Sequence, residues 1–343
     1  MIHTFYAGCY TEDPKDKGIH LLRFDASSGE LSHGASYYGG ESPSFLIRAG
    51  NFLYAANEIG NAGKLSALLV GADKALAYLN SVEISGAHTC HIAEMNGYLY
   101  AANYSSGNIF GVEILAGGSL GKVVAEVQHK GFGPNLNRQS APHAHSVNPV
   151  PGDNLLIAAD LGADKLFCYR QQEDGALAPD AINPAIIAPA GGGPRHMAFH
   201  PDGNRFFAVM EMGVSLVCYI KTEDGWRLES DYPLLTGTFT EADTAADIHF
   251  AANGTRLYVS IRGKNLISAF QIGADGVPGL IGSYPTFGDS PRNFCFSPDE
   301  RFVIIAHQAS GHVTVCPVDA NTGVVGEMLS SIILSGASCV INA

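Results

Sequence analysis

The sequence predicts an all-β protein, a seven-bladed β-propeller with four-stranded antiparallel blades, and three observations support this prediction. First, a pair of strand-like segments separated by a short loop recurs at intervals of roughly 50 residues, which is typical of propeller blades. Second, seven copies are present if one copy is split between the two ends of the chain. Third, no long window shows helical periodicity, while 40 glycines and 17 prolines suit many tight turns.

The repeated strand pair is the most regular element of the sequence. Six intact copies are SFLIRAGNFLYAANE (44–58), CHIAEMNGYLYAANY (90–104), HSVNPVPGDNLLIAAD (145–160), HMAFHPDGNRFFAVME (196–211), DIHFAANGTRLYVSIR (247–262) and NFCFSPDERFVIIAHQ (293–308). In the seventh copy, CVIN (339–342) supplies the first strand and TFYAGCY (4–10) the second. We therefore expect the C-terminal strand to join the N-terminal strands in one blade, so that hydrogen bonds close the ring and leave no long sheet edge open.

Each pair continues into a third strand and then a more variable fourth strand. The third strands are GIHLLRFD (18–25), KLSALLVG (64–71), NIFGVEI (108–114), KLFCYRQ (165–171), SLVCYIK (215–221), LISAFQI (266–272) and HVTVCPV (312–318). Turn signals such as ASSG, EDG, ADG and ANTG follow them, as hairpins require. No Pro/Ser-rich or charge-rich linker interrupts this pattern, so residues 1–343 are expected to form a single β-propeller domain.

Charge and composition limit the partners that this chain can have. A net charge of −13 with only 20 lysines and arginines argues against nucleic-acid binding. The N-terminus lacks the features of a signal peptide, and no apolar stretch approaches the length of a membrane span, which predicts a soluble, cytoplasmic protein with no membrane partner. The seven cysteines form no C-x-x-C pair and are expected to be buried thiols, without a disulfide framework or a metal knuckle.

The repeat also predicts where function lies. If the first strand of each pair lines the central channel and the second runs antiparallel to it, the first strand starts and the second ends on one face. The first strands start at Phe45, His91, His145, His196, Asp247, Asn293 and Cys339, preceded by Ser44, Cys90, Ala144, Arg195, Ala246, Arg292 and Ser338. The second strands end at Glu58, Tyr104, Asp160, Glu211, Arg262, Gln308 and Tyr10. Three histidines, three arginines and several carboxylates thus converge on one channel mouth, which predicts a small-molecule site.

Two irregular connections are expected on the same face as this mouth. The longer one, FGPNLNRQSAP (132–142), joins the last strand of one blade to the first strand of the next, and it offers Arg138 and the adjacent His143 as contacts. The second, TGTFTEADTAAD (236–247), enters the channel in the same way. The predicted substrate-binding residues are these two, Arg138 and His143, together with His196 and Arg292 from the starts of the first strands.

In these repeats and motifs the sequence resembles the seven-bladed β-propeller lactonases, which include cycloisomerase-type 6-phosphogluconolactonases and carboxymuconate-lactonising enzymes. The resemblance covers almost the whole chain. Its most specific segments are YAGCYTE near the start, LYAANYSSG (99–107), RQSAPHAHSV (138–147), AADLGADKL (158–166) and GGPRHMAFHPDGNRFFAVME (192–211).

The resemblance implies action on a sugar-acid lactone or a related small carboxylate, at the channel mouth and with no cofactor or obligatory metal. It places the catalytic group on His145, with His143 beside it, and on Arg195, Glu211 and Arg262. Around Arg262 the chain reads SIRG (260–263) where relatives tend to read SNRG, so the arginine matches but the neighbouring asparagine does not.

The residues leave the reaction open between two types of chemistry. Lactone hydrolysis needs a base to activate water and cationic groups for the oxyanion; Glu211 or His145 could be the base, with Arg195 and Arg262 as the cations. Cycloisomerisation of a 3-carboxymuconate needs a proton donor and clamps for several carboxylates, and the same residues could provide them. Hydrolysis is the first prediction and cycloisomerisation the alternative. A propeller that serves only as a binding platform is less favoured, because such surfaces present aromatic and aliphatic hot spots rather than a charged mouth.

Overall fold

A computed structural model describes residues 1–343, and all of its regular elements are β-strands. In chain order the first fourteen are β1 (Ile2–Cys9), β2 (Ile19–Asp25), β3 (Glu30–Tyr37), β4 (Pro43–Ala49), β5 (Phe52–Asn57), β6 (Gly63–Val70), β7 (Leu76–Ile84), β8 (Thr89–Met95), β9 (Tyr98–Asn103), β10 (Asn108–Ile114), β11 (Leu120–Gln128), β12 (Ala144–Pro149), β13 (Leu155–Asp160) and β14 (Lys165–Gln171). The others are β15 (Leu177–Pro179), β16 (Ala185–Ile187), β17 (Pro194–Phe199), β18 (Arg205–Met210), β19 (Ser215–Thr222), β20 (Gly225–Pro233), β21 (Thr244–Phe250), β22 (Arg256–Arg262), β23 (Leu266–Ile272), β24 (Pro278–Pro285), β25 (Pro291–Phe296), β26 (Phe302–His307), β27 (His312–Pro317), β28 (Ser330–Ile333) and β29 (Ala337–Asn342).

These strands form seven antiparallel sheets, which are the blades of a propeller. Blades 1 to 6 comprise β4–β7, β8–β11, β12–β16, β17–β20, β21–β24 and β25–β28. Blade 7 contains β29 followed by β1, β2 and β3. The predicted seven-bladed, four-stranded, all-β architecture is confirmed.

The ring is closed by the two ends of the chain, as the split repeat predicts. Strand β29 pairs antiparallel with β1, with Cys339 opposite Gly8 and Asn342 opposite Phe5. Because β29 takes the innermost position of blade 7, the shared blade has the same strand order as the other six. The seven innermost strands contact one another in an unbroken circle, from β29 through β4, β8, β12, β17, β21 and β25 back to β29.

One blade departs from the regular pattern at its outer edge. In blade 3 the fourth strand is divided into β15 and β16, both of which pair with β14. The interruption contains Asp180, which accepts a 2.7 Å hydrogen bond from Arg170 Nε and one of 2.8 Å from the Asn183 backbone N–H. Pro179 and Pro184 lie at either side and have no backbone N–H to donate, so a continuous ladder cannot form there.

Hydrophobic layers between neighbouring blades form the core, and a repeated tyrosine joins those layers to the turns. The tyrosines on the second strands donate from their hydroxyls to a hairpin carbonyl of the next blade: Tyr6 to Lys74, Tyr54 to Gly118, Tyr100 to Gly175 and Tyr258 to Gly323. Each such net hydrogen bond contributes about 1 kcal/mol. The Tyr of the LYAAN-like repeat therefore fixes the spacing between blades. The fold has no helix of the length and apolarity needed to cross a bilayer.

Candidate active site

A β-bulge at the start of the innermost strands decides where the site residues point. In all seven blades the register between the first and second strands shifts at this position, for example between Ala144 and Ser146 and between Pro194 and Met197. A bulge places two residues opposite one and re-aims their side chains. Adjacent residues thus serve different layers of the channel: Arg195 contacts Glu211 in the mouth, whereas His196 pairs with Asp247.

The mouth encloses a cavity of about 180 Å³, which suits a small molecule. Its wall comes from six blades and one loop. The lining residues are Glu58, Cys90, Tyr104, Arg138, His145, Glu211, Arg262 and Arg292. Five of the eight predicted site residues lie in this wall, namely Arg138, His145, Glu211, Arg262 and Arg292.

Glu211 is the centre of the positively charged side of the mouth. Its Oε1 accepts a 2.6 Å hydrogen bond from Arg138 Nη2, and its Oε2 accepts one of 3.0 Å from Arg195 Nε and lies 2.9 Å from Arg262 Nη2. Burial raises the pKa of Glu211, but the Arg262, Arg195 and Arg138 guanidinium groups outweigh it and lower this pKa to about 2. The carboxylate is therefore ionised at neutral pH and saturated with donors.

Arg195 lies behind Glu211 rather than in the cavity wall. Its side chain is 1% exposed, and Nη1 donates to the Ala246 carbonyl of blade 5. Burial, followed by repulsion from Arg262 and Arg292, lowers the pKa of Arg195 to about 10, which still leaves it charged at neutral pH. Arg195 thus fixes Glu211 and adds its positive charge from below the surface.

The opposite side of the mouth is organised by a second glutamate. Glu58 Oε2 accepts hydrogen bonds from the hydroxyls of Tyr10 (2.6 Å) and Ser44 (2.7 Å) and from Arg292 Nη2 (3.3 Å). Arg292 also donates to Gln308 Oε1 over 3.3 Å. Four guanidinium groups, from Arg138, Arg195, Arg262 and Arg292, thus face only two carboxylates. In a chain of net charge −13, the mouth is a local site for an anion.

His145 supplies the imidazole of the cavity wall. Its Nε2 lies 3.8 Å from Glu211 Oε2, which is too long for a hydrogen bond, and its Nδ1 lies 3.9 Å from Cys90 Sγ. Burial first, and then the Arg195 charge, lower the pKa of His145 well below 6.5. The imidazole is neutral at physiological pH. Burial also raises the pKa of the Cys90 thiol, which makes this neighbour a poor nucleophile.

The loop that carries Arg138 is anchored by buried polar contacts. Gln139 is fully buried and donates from Nε2 to the Leu161 carbonyl (2.8 Å) and to Asp164 (2.6 Å). The backbone N–H of His143 donates to Asp160 Oδ1 over 2.8 Å. Residues 132–142 therefore lie over the channel in a defined position, as predicted, and Arg138 reaches both Glu211 and the Tyr104 hydroxyl.

Two predicted substrate-binding residues lie outside the cavity wall. His143 stacks on Tyr104, with 4.6 Å between ring centroids, and its Nδ1 is 2.9 Å from the Tyr104 carbonyl oxygen. His196 lies lower in the channel, where its Nδ1 is 2.8 Å from Asp247 Oδ1. Asp160, also expected in the upper ring, is instead paired with His129 at 2.7 Å below the loop. These positions assign structural contacts to His143 and Asp160.

The sequence prediction did not include Glu58, Tyr104 and Cys90 among the site residues. A signal for two of them was present, because Glu58 and Tyr104 end their second strands at the same repeat position as Glu211. Repeat position alone could not select them, since Asp160 has the same position and faces away from the cavity. Asp160 differs because its carboxylate accepts a hydrogen bond from the backbone N–H of His143, at the end of the long loop.

Comparison with known families agrees with this architecture. The family model described as Lactonase, 7-bladed beta-propeller matches residues 4–342. The chain belongs to this lactonase family. Within it, the chain is 29% identical over 343 residues to the 6-phosphogluconolactonase of Bacillus subtilis, covering 98% of this chain and 97% of that protein. It is 26% identical over 344 residues to the 6-phosphogluconolactonase of Formosa agariphila, covering 97% of each. Among solved structures, the periplasmic gluconolactonase PpgL of Pseudomonas aeruginosa superposes with a TM-score of 0.93 at 28% identity, covering 99% of both chains.

Proposed function

We propose that this lactonase-family chain is a lactone hydrolase that opens a small, anionic sugar-acid lactone, most similar in type to a 6-phosphogluconolactonase. The observation that carries the proposal is the pairing of an excess of guanidinium groups with one neutral imidazole around a cavity of about 180 Å³. The names of the relatives from B. subtilis and F. agariphila support the same substrate class. Catalysis by the whole of residues 1–343 as one domain is part of this proposal.

Substrate binding is assigned to the arginines that line the cavity. Arg138 and Arg292 retain donors beyond those used on Glu211, Tyr104, Glu58 and Gln308, because each guanidinium has five N–H groups. A planar guanidinium can bind a phosphate or carboxylate through two parallel hydrogen bonds. Arg262 also has a buried Nε–H without a protein partner. We assign Arg262 to the carbonyl oxygen, where negative charge develops.

His145 is the better candidate for the general base. Glu211 has a pKa of about 2 and both of its oxygens accept from arginines, so it has little basicity to offer. His145 is neutral, and its Nε2 lies on the Glu211 side of the ring without a hydrogen bond to it. An anionic substrate would also offset the arginine charges that lower the pKa of His145. We therefore assign the base to His145 and the orientation of the arginines to Glu211.

In the proposed hydrolysis His145 carries each proton that moves. His145 accepts a proton from water as the water oxygen bonds to the lactone carbonyl carbon, and Arg262 stabilises the oxyanion. Collapse of the tetrahedral intermediate breaks the ring C–O bond, and the leaving alkoxide takes the proton back from His145. The product acid then ionises, and its proton passes to His145. Each turnover therefore consumes one water and releases one carboxylate and one proton.

Cycloisomerisation of a carboxymuconate is the second reaction to assay. Four guanidinium groups against two carboxylates would also suit a substrate with several carboxylates. The cytoplasmic location expected from the sequence is likewise a proposal, since the P. aeruginosa relative is named a periplasmic gluconolactonase.

The proposal is tested by the rate of ring opening of freshly generated 6-phosphoglucono-δ-lactone, corrected for spontaneous hydrolysis, with glucono-δ-lactone and 3-carboxy-cis,cis-muconate assayed in parallel. We expect acceleration of lactone opening by the wild-type protein. His145→Gln should lower kcat by about 10²- to 10⁴-fold, which is the usual contribution of a general base.

His33→Gln is the matched control, because it removes an exposed imidazole from the outer strand β3 and should leave the rate unchanged. A folded wild-type protein that accelerates neither lactone contradicts the proposed function. Full activity of His145→Gln contradicts only the assignment of the base.

A further inference from the structure

A carboxylate outside the mouth joins the long loop over the channel to the connection that precedes β17. Asp164 lies in the turn between β13 and β14 and is not part of the cavity wall. Its Oδ1 accepts a 2.6 Å hydrogen bond from Gln139 Nε2, on the long loop. The same oxygen accepts one of 2.8 Å from the Gly193 backbone N–H, and Oδ2 accepts one of 2.7 Å from that of Gly191. Both glycines lie between β16 and β17, so one side chain ties two loops together.

The turn presents the Asp164 side chain to both loops at once. The residue has a φ of 48°, a left-handed conformation that aspartate tolerates better than most residues. It is 7% exposed, and its three donors are neutral amide groups. A buried carboxylate is costly unless hydrogen bonds replace its lost hydration. The three donors are therefore held together around it.

The contacts of Asp164 lead back to the mouth along both loops. Gln139 directly follows Arg138, whose Nη2 donates to Glu211 Oε1 over 2.6 Å. On the other side, the Gly193 carbonyl accepts a 2.7 Å hydrogen bond from the backbone N–H of Glu211. Gly193 thus bonds to Asp164 through its N–H and to Glu211 through its carbonyl. Arg138 and Glu211 are therefore connected twice, once directly and once through Asp164.

Arg138 depends on such support more than the other arginines of the mouth. Arg195, Arg262 and Arg292 lie on strands, where ladder hydrogen bonds fix the backbone. Their side chains are 1%, 16% and 14% exposed, whereas that of Arg138 is 40% exposed and extends from a loop. The position of a loop residue depends on the side-chain contacts that anchor the loop, here those of Gln139.

We propose that Asp164 is a positioning residue, which holds Arg138 against Glu211 by tying the two loops together and so sets the affinity for the anionic substrate. The inference rests on the proposed hydrolysis, because Arg138 is assigned there to substrate binding. Asp164 itself touches no substrate. The alternative is that Asp164 only stabilises its own turn, in which case its removal lowers stability and leaves substrate affinity unchanged.

Asp164→Gly removes the carboxylate without straining the turn, because glycine readily adopts a positive φ. We expect KM for 6-phosphoglucono-δ-lactone to rise about tenfold, the usual effect of losing one charge-assisted hydrogen bond. The change in kcat should be smaller, since His145 and Arg262 lie outside both loops. Asp164→Asn should raise KM less, because its amide has only one acceptor oxygen and turns its NH₂ toward at least one of the three N–H donors.

Arg138→Ala separates positioning from a structural role. If Asp164 acts through Arg138, Asp164→Gly should raise KM by less than about twofold in a chain that already carries Arg138→Ala. An equal rise in both backgrounds overturns the proposal, and so does an unchanged KM in the otherwise wild-type chain. If Asp164→Gly does not fold, Asp164→Asn takes its place in the cycle.

Asp180→Asn is the matched control for Asp164→Asn. Asp180 is a buried carboxylate of the same blade and also accepts a backbone N–H, from Asn183, but it lies at the outer edge of the propeller. Its replacement should leave KM unchanged. A rise in KM equal to that of Asp164→Asn would show a general effect of damage to this blade and overturn the proposal.

Limited digestion with trypsin tests the loop without an assay of turnover. Trypsin cleaves after arginine, and the Arg138–Gln139 bond should resist cleavage in the wild type because Gln139 is fully buried. Asp164→Gly should speed cleavage at this bond, whereas Asp180→Asn should not. Unchanged protection overturns the proposal while the hydrolase proposal stands. A wild-type protein without lactone turnover overturns the hydrolase proposal and the effect on affinity, and the digestion then decides by itself whether Asp164 holds the loop.

Discussion

Two buried carboxylates in the same channel, Glu211 in the mouth and Asp247 one layer below, are surrounded in opposite ways. Three arginines bind Glu211, whereas two histidines, an asparagine amide and a backbone N–H bind Asp247. Both are held in the ionised form. The arginine partners of Glu211 keep their charge at any physiological pH, but the two histidine partners of Asp247 can change theirs.

The difference shows how two adjacent positions of the repeat can serve two purposes. Arg195 and His196 are consecutive residues on β17, and the bulge at this point directs one to the mouth and the other into the channel. The mouth is thus a permanent anion-binding layer, and the layer below it is a titratable one. Five predictions test this division, starting with the largest expected effect.

Glu211→Gln should unfold more easily than the wild type by about 3–5 kcal/mol, because removing one partner of a buried ion pair leaves Arg195 uncompensated. Urea unfolding at neutral pH measures the change. Glu83→Gln is the control, since Glu83 pairs with Lys64 at a surface position and should matter by less than about 1 kcal/mol. Equal stability of Glu211→Gln and wild type would show that the mouth is not held by this cluster.

The same variant should also alter the acid stability. The pKa of Glu211 in the folded protein, about 2, is below its ordinary value of 4.5, so its contribution is fully present above about pH 4.5 and is lost as the pH falls toward 2. The difference in unfolding free energy between wild type and Glu211→Gln should therefore shrink over this interval. A difference that is constant from pH 6 to pH 2.5 would contradict the low pKa.

Arg138→Ala should lower kcat/KM for an anionic lactone roughly tenfold, the contribution of one charge-assisted hydrogen bond, with the larger change in KM. Its side chain is 40% exposed, so we expect the protein to remain folded. Arg227→Ala, on the outer strand β20, removes an arginine far from the mouth and provides the comparison. If both variants lose the same activity, long-range charge rather than contact explains the effect.

The titration of the channel histidines should separate the two layers directly. By NMR of the imidazole nitrogens, His249 should titrate above 6.5 and His196 near pH 4, while His145 should titrate well below 6.5. In Asp247→Asn the titration of His249 should move to lower pH, because the charge that raises its pKa is gone. A titration of His249 that is unaffected by this change would contradict the coupling.

The smallest effect is expected from metal removal. The proposed hydrolysis uses His145 and arginines, so lactone opening should keep its rate after dialysis against a chelator. Loss of the rate, restored by one divalent ion, would require a metal in the mouth and would reassign the role of Glu211.

The repeat made most of the fold predictable. The paired segments gave the number of blades, and the split copy CVIN with TFYAGCY gave the ring closure through β29 and β1. The interrupted fourth strand of blade 3 was not predicted, because outer strands have little burial to impose an alternating pattern. In the site, the ring positions predicted Arg292 and Glu211 correctly as mouth residues but included Asp160, which turns toward His129.

The sequence by itself determined the architecture, the face that carries the charged residues and the identity of the arginines near the mouth, because the alternation and period of strands decide these features locally. Only the tertiary structure decided which neighbours meet across the channel: Arg138 with Glu211, Arg292 with Glu58, and Asp247 with two histidines. The physical reason is that each contact joins residues from different blades or from a long loop. Their distance depends on ring closure and on bulge geometry, which no single repeat contains.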